Sequence, residues 1–252
     1  MESFNLWGTS NNEVSIDYYA PFQKASDIAV LIFPGGAYAR LSPHEGEGYA
    51  HLLNSWGITA FVVNYRVYPH KFPLQLMDER RAIRFVRAKA EEFGISKNKI
   101  LVMGSSAGGH LAALVSTYRK DIGELKDELS YEDYLPNGQI LCYPVISSDE
   151  SIFHQGSYKN LLGELYENKS EYSPELLVES TTSPAFIWHT AEDLSVSCLN
   201  SCRYAASLWE KGVCCELHVL PEGHHGLGLA CQDSYISQWS NFLKNWLNKY
   251  YL

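Results

Sequence analysis

Six apolar runs of strand length alternate with amphipathic stretches of helix length along this chain. They are IAVLIF (28–33), ITAFVVNY (58–65), KILVMG (99–104), QILCYPVI (139–146), AFIWHT (185–190) and CCELHVL (214–220). The alternation predicts a mainly parallel central sheet with helices on both faces. The near-continuous Val, Ile, Leu and Phe content predicts strands covered on both sides. VSIDYYA (14–20) reads as an additional edge strand. Between the runs, SPHE at 42–45 has the spacing of a capping box. Ser42 stands at the N-cap, Pro43 at the first helical position and Glu45 reaches back, opening a helix that runs to Trp56 and stops at Gly57. Further helices are predicted over about 74–93 (ending at Gly94), from about Ala107, over about 198–211 (ending at Gly212) and over about 234–250. In the last of these, Trp239, Phe242, Leu243, Trp246, Leu247 and Tyr250 recur at spacings of three and four, the mark of a packing face.

Two segments break the alternation. The first, 120–138, contains DIGELKDELSYEDY and reads as a solvated acidic surface. The second, 147–184, has few apolar runs and is long for a connection, which suits a small cap over a site at the sheet edge. Neither has linker composition, and no repeat or low-complexity tract is present, so residues 1–252 read as one α/β domain with an insertion.

Composition narrows the partners. The 252 residues carry a net charge of −9, which argues against nucleic acid or an anionic membrane. The one basic stretch, ERRAIRFVRAKA (79–90), is interrupted by apolar residues and reads as the solvated face of an amphipathic helix. No apolar run is long enough to span a bilayer. MESFNLWGTSNN lacks the features of a secretory leader, and a cytoplasmic protein is expected. Cys142, Cys198, Cys202, Cys214, Cys215 and Cys231 read as reduced thiols, with Cys198 and Cys202 in the core and not ligating a metal.

Candidate chemistry begins where KILVMG ends. Gly104-Ser105-Ser106-Ala107-Gly108 is G-x-S-x-G between an apolar strand and a helix, the setting that gives this motif its meaning. A tight turn there strains the backbone of Ser106 and lifts its hydroxyl above the sheet, near the positive end of the following helix. An alcohol at neutral pH needs a base to become a competent nucleophile, and histidine suits the task. His110 lies on the helix beyond the turn and reads as structural; His189 and His218 sit at or in strands and read as packed. His224 and His225 follow the last strand, on the sheet edge where Ser106 emerges. Glu192 and Asp193 follow the preceding strand and offer the carboxylate that would orient the imidazole. The order Ser, acid, His is that of α/β-hydrolases. PGGAY follows the first central strand, so the amides of Gly35, Gly36 and Ala37, with that of Ala107, are candidates for an oxyanion hole.

Nearly the whole chain, from about residue 28 to 232, resembles the bacterial α/β-hydrolases known as acetylxylan esterase-like or sugar-ester hydrolases. The resemblance rests on FPGGAYARLSPHEGE, FVVNYRVYP, ILVMGSSAGGHLAA, CYPVIS, HQGSYKNLLG, WHTAEDLSV and EGHHGLGLA. It implies an α/β-hydrolase fold and assigns the base. In the family's G-x-H-G pattern the histidine before the second glycine is the base, which falls on His225 and leaves His224 in the variable place. The family's D-x-x-V-P puts the acid on Asp193. Three positions depart from the usual pattern: Ala37 for a frequent glycine, Ser197 for proline, and the added imidazole of His224.

Together these readings predict a serine hydrolase of carboxylic esters, with acetyl esters of carbohydrates as favoured substrates. Ser106, His225 and Asp193 form its triad. A formamidase-like amide hydrolase, a peptidase and a non-catalytic ligand-binding homologue are the rivals. No cofactor or metal is expected. The partner is a small-molecule ester, an acetylated sugar or oligosaccharide among them. The sequence leaves the oligomeric state open, a homo-oligomer included.

Overall fold

The computed structural model describes residues 2–8 and 13–252; the reading of the first twelve residues as lacking a leader therefore falls partly outside the described residues. Eight strands form one sheet: β1 (Glu2–Asn5), β2 (Ser15–Tyr19), β3 (Ala29–Phe33), β4 (Thr59–Asn64), β5 (Ile100–Ser105), β6 (Gly138–Cys142), β7 (Ala185–Thr190) and β8 (Cys215–Leu220). Their spatial order is β1-β2-β4-β3-β5-β6-β7-β8. β1 and β2 pair antiparallel at one edge, and every pairing from β4 to β8 is parallel. The helices are α1 (Glu47–Ser55), α2 (Leu74–Ala88), α3 (Ala90–Phe93), α4 (Ala107–Thr117), α5 (Gln155–Leu162), α6 (Leu199–Glu210) and α7 (Trp239–Tyr250).

Strand periodicity divides the core in two. Leu31 and Phe33 of β3 enter the cluster formed with α2, α4 and α6; Val30 and Ile32 enter the opposite one with α1 and α7. A run such as AVLIF is apolar at every position because both faces are covered. Burying each large side chain of this kind contributes about 1.5–3 kcal/mol. In the last helix Trp239, Leu243, Trp246 and Leu247 are buried, with Trp239 stacked on Trp188 at 4.9 Å, and Phe242 is partly buried, but Tyr250 at the end of the predicted stripe is exposed. Gly57, Gly94 and Gly212 follow their helices at φ 75°, 61° and 73°, the left-handed region in which glycine ends a helix most easily.

Several expectations change. β1 adds a strand the sequence does not announce, and the predicted run 139–146 leaves the sheet after Cys142, where Tyr143 turns to φ 38°. The predicted helix 74–93 breaks at Lys89 into α2 and α3. A 3-10 turn, Ile236–Gln238, precedes α7. SPHE is not a capping box. Pro43–Glu45 is a 3-10 turn, Ser42 makes no side-chain cap, and Glu45 is buried and directed elsewhere. The basic face of α2 is not solvated either. The acidic segment folds over it, placing Glu124 against Arg80 and Arg84 and Asp127 2.7 Å from Arg81. Tyr134 lies under the Arg80 guanidinium, 4.0 Å from its ring centre. Two segments that each look like surface neutralise one another. All six cysteines are free, and Cys198 and Cys202 are half-buried, not core.

Segment 147–184 contains α5 and two 3-10 stretches, Gly163–Tyr172 and Pro174–Leu176. It rests on the loop after β3, where Asn160 Nδ2 donates to the Ala37 carbonyl at 2.9 Å.

Candidate active site

The β5–α4 turn is built from residues with little or no side chain. A Cβ on Gly104 would strike the Gly108 carbonyl, and one on Gly108 the Phe33 carbonyl, so strand, turn and helix approach as only glycine permits. Between them Ser106 adopts φ 53° and ψ −117°, a conformation that costs about 1–3 kcal/mol and persists only where its surroundings hold it. The Ser106 amide is tied to the Cys142 carbonyl at 3.0 Å, and the Ser106 carbonyl accepts from Val145 at 3.0 Å. The side chain is left directed over the sheet edge.

His225 Nε2 lies 2.8 Å from Ser106 Oγ, and its Nδ1 lies 2.6 Å from Asp193 Oδ2. A carboxylate only accepts, so the ring proton belongs on Nδ1, and Nε2 is free to accept from the serine hydroxyl. The Asp193 side chain is fully buried, whereas that of His225 is 21% exposed. Burial alone would raise the Asp193 pKa. Hydrogen bonds from His189, His225 and the Val196 amide outweigh it and hold this carboxyl well below the usual range. Its other oxygen accepts from the Ser195 and Val196 amides, each at 2.9 Å.

The remaining predicted residues separate. Glu192 stays exposed at the loop, 3.4 Å from the Gly223 amide. His224 points to solvent, where Nδ1–H donates to the His225 carbonyl at 2.7 Å. Gly35, predicted as an oxyanion donor, is corrected: its amide already donates to Glu45 Oε2 at 2.9 Å. Gly36, Ala37 and Ala107 remain as candidates. His110 is buried on the helix with its ring nitrogens held by Tyr38 and the Tyr172 carbonyl, as its structural reading expects.

Other residues at the site carry no local sign in the sequence. His189, predicted only to pack, is buried against the acid, with Nε2 3.3 Å from Asp193 Oδ2 and 2.9 Å from the Val196 carbonyl. Ser201 Oγ–H donates to its Nδ1 at 2.8 Å. Tyr143 sets its ring edge-on to His225 at 5.2 Å. Burial pushes its phenol well above the ordinary value, and Glu45 adds to this. His154 caps α5, accepting from the Ser157 amide at 3.2 Å; burial and then His225 push its pKa down. HQGSY and CYPVIS mark His154 and Tyr143 only as parts of longer motifs. A cavity of about 660 Å³ borders the 223–233 loop, lined in part by His44, His224, Leu227 and Ile236, with neither Ser106 nor His225 in its walls. Among the described residues no group of three or more His, Cys, Asp or Glu is placed to hold a metal ion.

Comparison with known proteins agrees with this architecture. The family model described as BD-FAE matches residues 16–208. The crystal structure of an acetyl ester-xyloside bifunctional hydrolase from Caldicellulosiruptor lactoaceticus is 38% identical and superposes with a TM-score of 0.90, covering 98% of this chain and 96% of that one. An acetylxylan esterase of Xylanibacter ruminicola is 36% identical over 89% of this chain, and endo-1,4-β-xylanase B of Butyrivibrio fibrisolvens is 36% identical over 84%. The chain spans only 46% and 34% of the length of those two curated relatives.

Proposed function

This chain belongs to the BD-FAE family of α/β-hydrolases, and on that footing we propose that it is a serine hydrolase of carboxylic esters acting on acetyl esters of carbohydrates. One observation carries the reading: the strained Ser106 presents its hydroxyl to an imidazole 2.8 Å away, and a buried carboxylate holds that imidazole. The acetyl and carbohydrate parts rest on the relatives named for acetylxylan and acetyl ester hydrolysis.

In this mechanism Ser106 Oγ bonds to the ester carbonyl carbon while its proton passes to His225 Nε2. The carbonyl electron pair moves to oxygen, where the amides of Gly36, Ala37 and Ala107 receive the charge. The intermediate collapses, the bond to the alcohol breaks, and His225 returns the proton to the leaving oxygen. Water then repeats the sequence on the acyl-serine, releasing the acid and restoring the hydroxyl. Asp193 keeps the imidazole oriented and balances its transient charge. Segment 147–184, seated on the oxyanion loop through Asn160, is read as a small cap over the acyl site.

Ser106→Ala is expected to lower kcat by several orders of magnitude, toward about 10⁶-fold. A fluorophosphonate should label the parent at Ser106. In a panel of acetyl, butyryl and longer esters, with acetylated xylo-oligosaccharides included, the acetyl sugars should give the highest kcat/KM. Undiminished p-nitrophenyl acetate hydrolysis by the alanine variant would overturn the nucleophile, and preference for small amides would overturn the substrate class.

A further inference from the structure

The proposed site is assembled from loops whose strands are not neighbours. The oxyanion loop follows β3 and the base loop follows β8, with β5, β6 and β7 between them in the sheet. Ladder pairing therefore does not fix one loop against the other. A shift of about 1 Å between reacting groups can cost about 100-fold in rate, so something above the sheet must hold both.

Glu45 occupies that position. Its carboxyl is 3% exposed. Oε2 accepts from the Gly35 amide at 2.9 Å in the oxyanion loop, and Oε1 accepts from Tyr143 Oη–H at 2.7 Å. Tyr143 Oη in turn accepts from the Gly228 amide at 2.9 Å, in the base loop three residues past His225. Three hydrogen bonds thus run from one loop to the other through a single carboxyl and a single phenol. A side branch reaches Ser105, the residue before the proposed nucleophile: Tyr143 Oη is 3.2 Å from Tyr49 Oη, which accepts from Ser105 Oγ at 3.0 Å. The adjacent His44 adds a strap, its Nε2–H donating to the Gly226 carbonyl at 3.0 Å.

Stability alone gives little reason for this arrangement. Among the described residues no Lys or Arg pairs with the Glu45 carboxyl, the His44 Nε2 lies 3.9 Å away, and a buried carboxyl carries a desolvation cost that apolar packing would avoid. Tyr143 adds a backbone at φ 38°, unusual for a bulky residue, which turns its ring out of line with β6 and over His225. Strain and buried polarity coincide between the loops that bear the proposed oxyanion donors and base.

We propose that Glu45 and Tyr143 are positioning residues that lock the oxyanion loop to the base loop, raising turnover without touching substrate. The inference rests on the serine-hydrolase reading above and adds two residues to it. Tyr143→Phe keeps the ring on Trp188 and removes one oxygen; Glu45→Gln keeps an acceptor for Gly35 and changes the bond to Tyr143. Each is expected to lower kcat for acetyl esters by about 10- to 100-fold with KM within about 3-fold. The rate of fluorophosphonate labelling should fall in parallel, while final labelling of Ser106 stays stoichiometric. Because both act through one chain of bonds, the double variant should fall within about 3-fold of the weaker single one. Glu45→Ala should be slower than Glu45→Gln. A Tyr143→Phe protein with the parent melting temperature and kcat within about 2-fold of parent would overturn the proposal, as would fully multiplicative losses or an effect on KM alone. An active Ser106→Ala protein would instead overturn the underlying reading, so the two failures are distinguishable.

Discussion

His110 and His225 both stand close to the same serine turn, both have their two ring nitrogens engaged, and only one has the partners of a base. His110 is 1% exposed; Tyr38 Oη–H donates to its Nδ1 at 2.8 Å and its Nε2–H donates to the Tyr172 carbonyl at 2.9 Å. Burial pushes its pKa down to about 4, so it remains neutral, a strut between the oxyanion loop and the 147–184 segment. His225 instead meets a carboxylate on one side and a hydroxyl on the other, with an edge of the ring open to solvent. Under the proposed reading, the contrast is that an imidazole serves as a base where an anion fixes its proton and the group it must serve has access. Proximity in sequence to Ser106 favours His110, the residue without those partners.

The comparison breaks most severely if His225 is dispensable. His225→Ala should lower kcat on p-nitrophenyl acetate by about 10⁶-fold, while His224→Ala stays within about 3-fold of parent. The reverse ranking would move the base by one residue. Next comes the anion: Asp193→Asn should leave the fold intact and lower kcat by about 10⁴-fold, because an amide can stabilise the wrong tautomer. Activity close to the parent value would mean that His189 and the surrounding amides suffice to orient the ring. The smallest effect concerns His110 and is read in stability. Its pKa is lower folded than unfolded, so the unfolded chain binds the proton first as pH falls. Stability is full above about 6.5 and declines as pH falls toward about 4, by on the order of 3 kcal/mol. Melting temperatures across that interval should fall less steeply for His110→Gln, with kcat at pH 8 within about 3-fold of parent. An unchanged slope would remove His110 from the account.

What the sequence makes legible is local. The strand-turn-helix around Ser106, the helix ends at Gly57, Gly94 and Gly212, and the order of serine, acid and histidine all follow from neighbours along the chain. The choice between His224 and His225 needed the resemblance, because both occupy the same loop and carry the same ring. Glu45 departs from its expected role for a related reason. S-P-H-E has the spacing of a cap, and only Gly35 and Tyr143, ten residues before it and 98 residues beyond it in the chain, redirect its carboxyl. The acidic segment and the basic face of α2 each look solvated until the fold brings them together. In QILCYPVI, Pro144 has no N–H for the ladder and marks the strand's end, but no residue there announces the positive φ of Tyr143.

The route of the chain through the sheet bears on when this protein acquires its chemistry. Ser106 leaves the ribosome 119 residues ahead of His225, and the histidine's loop can be held in place only after β8, the last of the eight strands in chain order, docks beside β7. A nascent or truncated polypeptide ending before that strand carries Ser106 without the proposed base. Under the proposed reading, hydrolytic competence arises only once β8 has been made, and its appearance reports that the eight-stranded sheet has been completed.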